Sequence, residues 1–225
     1  NIWMPRASAA FSVLPNTKVT LAYGQYSEFP NHMQFFGEFG NPALKAERAI
    51  HYTFEIEQLL NDKTRIRVET YDREDRNGVA SADTEYRLVD GRIVGPPLGA
   101  AGKFQNNLRG YARGVEIFIQ RRSVNKLSGW ISYSYGVARY RDASTNLTFY
   151  GDYDQRNTFN AYATYRFKPS LNLSAKYRYG SNFPIAGFFQ TQDGRITLSD
   201  QRNQLRLPVY SRLDVRANKS FNFDH

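Results

Sequence analysis

Closely spaced acidic residues are the first candidates for chemistry in this sequence. Asp152 and Asp154 stand two residues apart and could together ligate Ca²⁺, but the residues around them lack the EF-hand pattern. Glu55 and Glu57 share one face of an alternating segment, where same-face neighbours lie about 6.5–7 Å apart. Nothing in the sequence marks either glutamate as an acid or a base. We therefore interpret the aspartates as solvated acids at the mouth of a loop, and the glutamates as polar lining.

Other catalytic or metal-binding patterns are equally weak. His32, His51 and His225 are scattered too widely to predict a metal site, and the sequence contains no cysteine. It also contains no glycine-rich phosphate loop and no nucleophile elbow. We predict that the protein is not an enzyme, with no catalytic residue, no metal site and no cofactor.

Aromatic residues in loops are better candidates for a binding site. Two segments rich in Gly, Asn and Pro carry flat apolar side chains, and an exposed surface that captures a ligand needs such anchors beside polar groups. The alternative is that these side chains pack loops against each other. The candidate ligand-binding residues are Phe29, His32, Phe35, Phe36, Phe39, Phe183, Phe188, Phe189 and Gln190.

The elements that would position these loops are long β-strands. Between Tyr153 and Gly180 two alternating runs flank the corner at Pro169, and each run has one apolar and one polar face. Each run is about ten residues long, which is what a tilted strand needs to cross a bilayer. Tyrosines near the strand ends suit an interfacial aromatic girdle. This segment is typical of a hairpin in a transmembrane β-barrel.

The connections between predicted strands alternate in length. Short turns at Pro15, Asn61, Asn125, Pro169 and Asn222 alternate with four long loops, and no helical period is sustained. Outer-membrane barrels sort short turns to the periplasmic side and long loops to the outside. About nine strands fit, whereas bacterial barrels close with an even number, so we expect the chain to be a piece of a larger barrel. The long loops are predicted at about 27–47, 75–109, 141–152 and 181–206.

Composition is compatible with this interpretation. Aromatic residues make up 15% of the chain, and the formal net charge is +9. Lys and Arg are scattered along polar strand faces and turns, so we do not expect nucleic acid as a partner. No apolar run is long enough for a transmembrane helix. We predict an all-β fold, an antiparallel transmembrane β-barrel segment.

Five motifs, in order, resemble the TonB-dependent outer-membrane receptors. Residues 39–47 (FGNPALKAE) resemble the family's "G-N-P-x-L-K-x-E" segment, and residues 114–116 (GVE) its "G-x-E" strand start. Residues 127–135 (LSGWISYSY) resemble its "L-x-x-x-x-S-Y-x-Y" strand. Residues 154–156 (DQR) and 208–215 (PVYSRLDV) resemble the start of the next strand and the "P-x-Y-x-R-L-D-L" strand. The resemblance covers about residues 39–221 and is to the Oar-like type, with a carboxypeptidase-regulatory-like domain.

The resemblance implies a 22-stranded barrel in the outer membrane of a Gram-negative-type bacterium. It also implies an N-terminal plug inside the barrel, a TonB-type energy-coupling partner and uptake of a scarce solute. We expect residues 1–225 to be part of the barrel, without the plug and the final strands. Polar strand residues would then face the lumen or the plug: Arg67, Glu69, Glu116, Arg212, Asp214 and Arg216.

Two other classes of function stay open at this point. The chain could come from another outer-membrane barrel, such as a passive porin, an adhesin or a surface-assembly component. It could instead be a soluble all-β protein that binds carbohydrate or nucleic acid, because charge and aromatic residues occur together.

Overall fold

The computed structural model describes residues 2–81, 85–95 and 103–221. Nine strands follow one another in a single antiparallel sheet, in the order β1-β2-β3-β4-β7-β8-β10-β11-β14, and the short strand β9 adds to β8. Two separate hairpins, β5–β6 and β12–β13, and one short helix lie in the connections. The elements are β1 Arg6–Leu14, β2 Thr17–Glu28, α1 His32–Phe36, β3 Glu47–Asn61, β4 Thr64–Ser81, β5 Arg87–Val89, β6 Arg92–Val94, β7 Phe104–Val124, β8 Leu127–Asp142, β9 Thr148–Tyr150, β10 Asn157–Lys168, β11 Leu171–Gly180, β12 Phe189–Gln192, β13 Arg195–Leu198 and β14 Tyr210–Lys219.

The sheet has one apolar and one polar face, because the register aligns residues of like character across the strands. We call these the apolar face and the polar face. One apolar row runs across seven strands: Val19, Ile56, Val68, Ile117, Tyr133, Phe159 and Tyr179. A polar row, one residue away, runs through Lys18, Glu57, Arg67, Phe118, Ser132, Asn160, Arg178 and Arg212.

Charged side chains on the polar face pair across strands. Arg65 lies 3.3 Å from Glu57, and Arg67 lies 3.8 Å from Glu55. Large apolar side chains on the other face stay exposed, Phe54 at 41% for example. Among the described residues only Leu44, Ala46 and Phe188 are buried apolar side chains, so the sheet has no core of its own. A wall with one apolar and one polar face is the form expected of a transmembrane barrel segment.

The sheet is open. β1 and β14 lie at its two ends and pair only with β2 and β11 respectively, so the first and last strands do not close a small barrel. This result confirms the predicted all-β, antiparallel barrel segment of about nine strands. Four connections, at residues 15–16, 62–63, 125–126 and 169–170, are tight turns at one end of the sheet. The longer connections lie at the other end.

A packing contact explains the glycine of the "G-x-E" motif. Gly114 and Gly136 are cross-strand neighbours on β7 and β8, and Tyr71 on β4 lies over both. A Cβ atom at Gly114 would come within 2.6 Å of the Tyr71 hydroxyl, and one at Gly136 within 2.7 Å. The two glycines therefore leave room for an aromatic ring to cover the backbone.

The predicted long loops contain more structure than expected. β4 and β7 extend well beyond the membrane-length segments, and the hairpin β5–β6 lies within the predicted loop 75–109. The predicted loop 27–47 contains α1, whose cap Asn31 accepts a hydrogen bond from Gln34 N–H and donates its own N–H to the Gln34 side chain. That helix was not predicted because five residues are too few to show a period. The predicted turn at Asn222 lies outside the described residues.

Candidate functional site

A cavity of about 680 Å³ lies on the polar face at the end of the long connections. Its floor is formed by the ends of β3, β4, β7 and β8, with His51, Arg73 and Asp75 pointing into it. Its roof is formed by residues of the 181–206 connection, including Phe188 and Arg202. The cavity therefore lies between the strand ends and a folded connection.

The floor is organised around Asp75. Arg73 Nε donates to Asp75 Oδ1 at 2.7 Å, and the Tyr140 hydroxyl donates to Asp75 Oδ2 at 3.0 Å. Burial, together with the neighbouring carboxylate, raises the pKa of Tyr140 to about 12, so its hydroxyl keeps its proton at neutral pH. The Tyr140 ring lies over Gly110, where a Cβ atom would come within 2.3 Å of it. The centre of the floor is thus a fixed arrangement of one cation, one carboxylate and one hydroxyl.

Arg202 holds the roof to residues of two other connections. Its guanidinium donates to both Glu85 oxygens, at 3.0 and 3.2 Å, and to Asp152 Oδ1 at 2.6 Å. The next residue, Asn203, has no exposed surface, and its amide donates to Tyr150 O and to Asp152. These contacts connect the 181–206 connection to two other connections, although the three segments are distant in sequence.

A second tie, which we call the Asp154 clasp, fastens the base of the roof. Arg156 Nε and Arg206 Nη2 each donate to Asp154 Oδ2 at 2.8 Å, and Ala138 N–H donates to Oδ1 at 2.8 Å. Burial alone would raise the pKa of this carboxyl, but the hydrogen bonds from the two arginines and Ala138 outweigh it and lower that pKa. The prediction of a solvated acid is wrong for Asp154, because the neighbouring Arg156 and the distant Arg206 both pair with it and its side chain is fully buried.

Tyr150 on β9 is the aromatic centre of the same region. The guanidinium groups of Arg139, Arg156 and Arg206 lie 4.6, 4.5 and 5.3 Å from its ring centroid. Hydrogen bonds from Arg139 and Arg156 lower the pKa of its hydroxyl. Cation–π contacts of this kind hold these three arginines in fixed positions around the Tyr150 ring.

Most of the predicted ligand-binding residues do not line the cavity. Of the nine candidate ligand-binding residues, Phe188 alone lines it, and this side chain is buried. Phe29 and Phe36 are 67% and 70% exposed, away from the cavity lining. The rings of His32 and Phe35 each contact the ring of Phe36 on α1. The remaining candidates, Phe39, Phe183, Phe189 and Gln190, do not line the cavity, and a binding role for any of the nine stays a prediction.

The six predicted lumen residues share the polar face, in two groups separated by β8, β10 and β11. Arg67, Glu69 and Glu116 occupy neighbouring strands, and Arg212, Asp214 and Arg216 alternate along β14. Arg212 donates to Asp214 at 2.9 Å, and Arg216 donates to Asn218 at the same distance. The register supports the grouping, and their contact with a plug or a solute path stays a prediction.

Sequence reasoning missed the residues that build the cavity. Arg73 and Asp75 lie on β4, Tyr140 lies on β8 and Arg202 lies in the 181–206 connection, so no local motif marks the group. One signal was available for the roof: Asp90-Gly91 and Asp193-Gly194 have positive φ at both residues, the form of a type I′ hairpin turn. Those pairs would have predicted β5–β6 and β12–β13, and hence folded connections.

The chemistry of the site suits binding. The cavity offers arginines, carboxylates, tyrosines and two phenylalanines, which can recognise a solute by charge and stacking. Among the described residues no group of three or more His, Asp or Glu side chains is arranged to hold a metal ion. The described helix, α1, is too short to cross a membrane.

Comparisons with known proteins agree with this architecture. The family model "TonB dependent receptor-like, beta-barrel" matches residues 1–225. Among curated proteins none matches the chain by sequence. A structure of the ferric enterobactin receptor of Pseudomonas aeruginosa in complex with enterobactin is similar, with a TM-score of 0.74 and 14% identity over 98% of this chain and 33% of that one.

Two further solved structures show the same fold. The ferripyoverdine receptor of Pseudomonas aeruginosa has a TM-score of 0.70 and 12% identity over 97% of this chain and 27% of that one. The FrpB iron transporter of Neisseria meningitidis has a TM-score of 0.68 and 15% identity over 96% of this chain and 32% of that one. The chain thus spans about a quarter to a third of the length of these proteins. It belongs to the β-barrel family of TonB-dependent receptors, proteins of the Gram-negative outer membrane.

Proposed function

We propose that this chain forms part of the barrel of a receptor that captures a scarce solute at the cell surface and passes it to the periplasm. Uptake would be energy-coupled through a TonB-type partner and a plug inside the barrel, as the family implies. The match to a receptor family favours this function over a passive porin, an adhesin or a soluble binder. The Oar-like subtype stays a prediction, because the match is to the family as a whole.

The observation that carries this proposal is the roofed cavity at the end of the long connections. Long connections of outer-membrane barrels are extracellular, so the cavity would open where a solute arrives. Its lining combines Arg73 and Arg202 with carboxylates and aromatic rings, which suits a polar, partly aromatic solute. The roof is tied by ion pairs that a charged solute could replace.

Metal chelates are the first solutes to test. One structural neighbour is a ferric enterobactin receptor, one is a ferripyoverdine receptor and one is a copper transporter, though at 12–14% identity they share only the fold with this chain. The full-length receptor would be expressed in a strain that lacks its own chelate receptors. Uptake of radiolabelled ferric enterobactin, ferripyoverdine and a copper chelate would be measured, with and without a functional TonB gene.

The expected result is saturable uptake of at least one chelate that requires TonB. Arg202→Ala removes the contacts of the roof to Glu85 and Asp152, and we expect it to raise the half-saturating concentration about ten-fold, equivalent to about 1.4 kcal/mol. Arg195→Ala, an exposed arginine on β13, is the matched control and should leave uptake unchanged. Unsaturable uptake that persists without TonB would contradict the proposal and favour a passive pore.

A further inference from the structure

A recess of about 350 Å³ opens on the polar face at the end of the tight turns. It is formed by β8, β10, β11 and β14, close to the turns at residues 125–126 and 169–170. The register aligns four of its residues in one row across these strands: Ser128, Thr164, Ser174 and Arg216. Its volume falls in the range of about 300–1,000 Å³ that is typical of small-molecule sites. The recess is thus a second candidate site, at the opposite end of the sheet from the roofed cavity.

Three cations line the recess, and no carboxylate does. The cations are Lys126, Arg166 and Arg216. Among the residues that the structure describes, none of the three is ion-paired with a carboxylate. The one acidic residue of β10, β11 and β14, Asp214, already accepts from Arg212 at 2.9 Å. The recess therefore carries positive charge that no described group neutralises.

Cations elsewhere on the polar face do have acidic partners. On β3 and β4, Arg65 lies 3.3 Å from Glu57, and Arg67 lies 3.8 Å from Glu55. That part of the wall balances its own charge. A concave surface lined by one sign of charge instead raises the local concentration of counter-ions. The recess is therefore suited to an anion from outside the described chain.

Neutral groups hold two of the three cations in place without cancelling their charge. Arg216 Nε donates to Asn218 Oδ1 at 2.9 Å, and Asn218 Nδ2 donates to Asn172 Oδ1 at 3.0 Å. Lys126 Nζ donates to Phe167 O at 3.4 Å. A guanidinium that is already positioned loses little rotamer freedom on binding, and its planar fork matches paired anionic oxygens. The hydroxyl groups of the row add further donors.

Further cations continue this charge from the recess towards the long connections. On the polar face of β11, Lys176 lies one step beyond Ser174, and Arg178 lies two steps beyond it. Arg178 is directly opposite Arg212 on β14. One step between same-face neighbours is about 6.5–7 Å. An anion that moves along this face from Arg178 to the recess would therefore stay within about one step of a cation.

We propose that the recess binds an anionic oxygen group of the solute as the solute leaves the barrel for the periplasm. This inference rests on the proposed function, in which the solute enters at the roofed cavity. Both sites lie on the polar face, the cavity at the end of the long connections and the recess at the end of the tight turns. A solute that follows this wall therefore meets the recess last. The charge of the recess sets the class of the solute, which carries a net negative charge.

The first test measures the charge preference of the recess in the full-length receptor, purified in a neutral detergent. Residues 1–225 contain no cysteine, and any cysteine elsewhere is replaced by serine. Ser174→Cys places a thiol in the recess. Its rates of reaction with an anionic sulfonatoethyl and a cationic trimethylammonioethyl methanethiosulfonate are compared. Thr20→Cys is the matched control, because Thr20 also lies four residues beyond a tight turn on the polar face but is directly opposite Glu55.

We expect the ratio of the anionic to the cationic rate to be about ten-fold higher at Ser174→Cys than at Thr20→Cys. Adding Arg166→Gln and Arg216→Gln to Ser174→Cys should remove most of this difference, and heat-modifiable migration on gels verifies that each barrel is folded. Equal ratios at the two positions, or a ratio that does not depend on the two arginines, would overturn the proposal. Failure of Ser174→Cys to react with either reagent would also overturn it, because another part of the receptor, such as a plug, would then fill the recess.

The second test measures uptake of the chelate that cells with the wild-type receptor accumulate. Arg166→Gln with Arg216→Gln should lower the maximum rate of uptake about ten-fold, the low end of what a hydrogen bond to a charged group contributes. The half-saturating concentration should not change, because capture occurs at the roofed cavity. The control is Arg92→Gln with Arg195→Gln, which removes the same charge from exposed arginines of the two small hairpins and should leave uptake unchanged.

An unchanged maximum rate in the test variant, or a transported chelate without net negative charge, would refute the role of the recess in transit. Absence of chelate uptake by the wild type would instead contradict the proposed function. The labelling rates would in that case still decide whether the recess attracts an anion, so the two failures are distinguishable.

Discussion

Removing the charge of Asp154 is the most direct test of how the roof is held. Asp154→Asn keeps the shape of the side chain but replaces a carboxylate with a neutral amide. Two arginines then face a group that accepts at one oxygen only and presents N–H groups of its own. The Arg156 and Arg206 side chains are 27% and 25% exposed, so water partly compensates them.

The size of the effect follows from these contacts. A hydrogen bond to a charged group contributes about 1.5–3 kcal/mol, and breaking a fully buried ion pair costs about 3–5 kcal/mol. Because the arginines are partly exposed, we expect Asp154→Asn to cost about 2–3 kcal/mol. The loss should appear as local opening of the 181–206 connection, since the strands β10 and β11 keep their own ladder.

Hydrogen exchange on the full-length receptor measures this opening. Three backbone amides of the roof, at Ser199, Asn203 and Leu205, donate to backbone carbonyls in the resting structure. We expect them to exchange about 30–140-fold faster in the variant, the factor equivalent to 2–3 kcal/mol.

The control is Asp193→Asn, the same chemical change at an exposed turn residue in the same connection, where a positive φ of 51° suits asparagine equally well. Exchange of the roof amides should not change in the control. Unchanged exchange in Asp154→Asn would refute the assignment of the clasp, and equal acceleration throughout β10 and β11 would show that it holds the whole sheet instead.

Three further outcomes are expected. Acidification should open the roof, because the pKa of Asp154 is lowered in the folded state. The stability that its carboxylate contributes is present above the unfolded pKa of about 3.9 and is lost as the pH falls through the lower folded value. We therefore expect the roof amides to exchange faster only below about pH 4. Ile117→Arg on the apolar face should cost about 2–4 kcal/mol of unfolding free energy in lipid, against about zero for Gln120→Arg on the polar face, and equal costs would contradict the assigned facing. A membrane-impermeant thiol reagent on intact cells should label Gly194→Cys and not Asp62→Cys, and labelling at Asp62→Cys would invert the topology.

Local pattern was sufficient to predict the sheet. Alternation along β10 and β11 predicted two faces, and the register confirms them, because side chains on a strand alternate whatever the strand pairs with. Pro169 and Asn125 marked tight turns for an equally local reason, since a few residues determine each turn. The openness of the sheet followed from the odd number of strands. The two faces and the tight turns depend on neighbours in sequence, so the sequence by itself determined them.

The candidate site depended on contacts that no local pattern encodes. Asp154 was interpreted as solvated, and only the folded chain brings Arg206 to it from 52 residues away. Arg202 reaches Glu85 across 117 residues, so the roof exists only once the connections have packed together. The aromatic loop residues, such as Phe29, were selected by residue type alone. Of the nine candidates only Phe188 lines the cavity. The sequence determined which residues share a face. The tertiary structure decided which distant charged groups meet, because ion pairs between connections depend on three-dimensional packing and not on spacing along the chain.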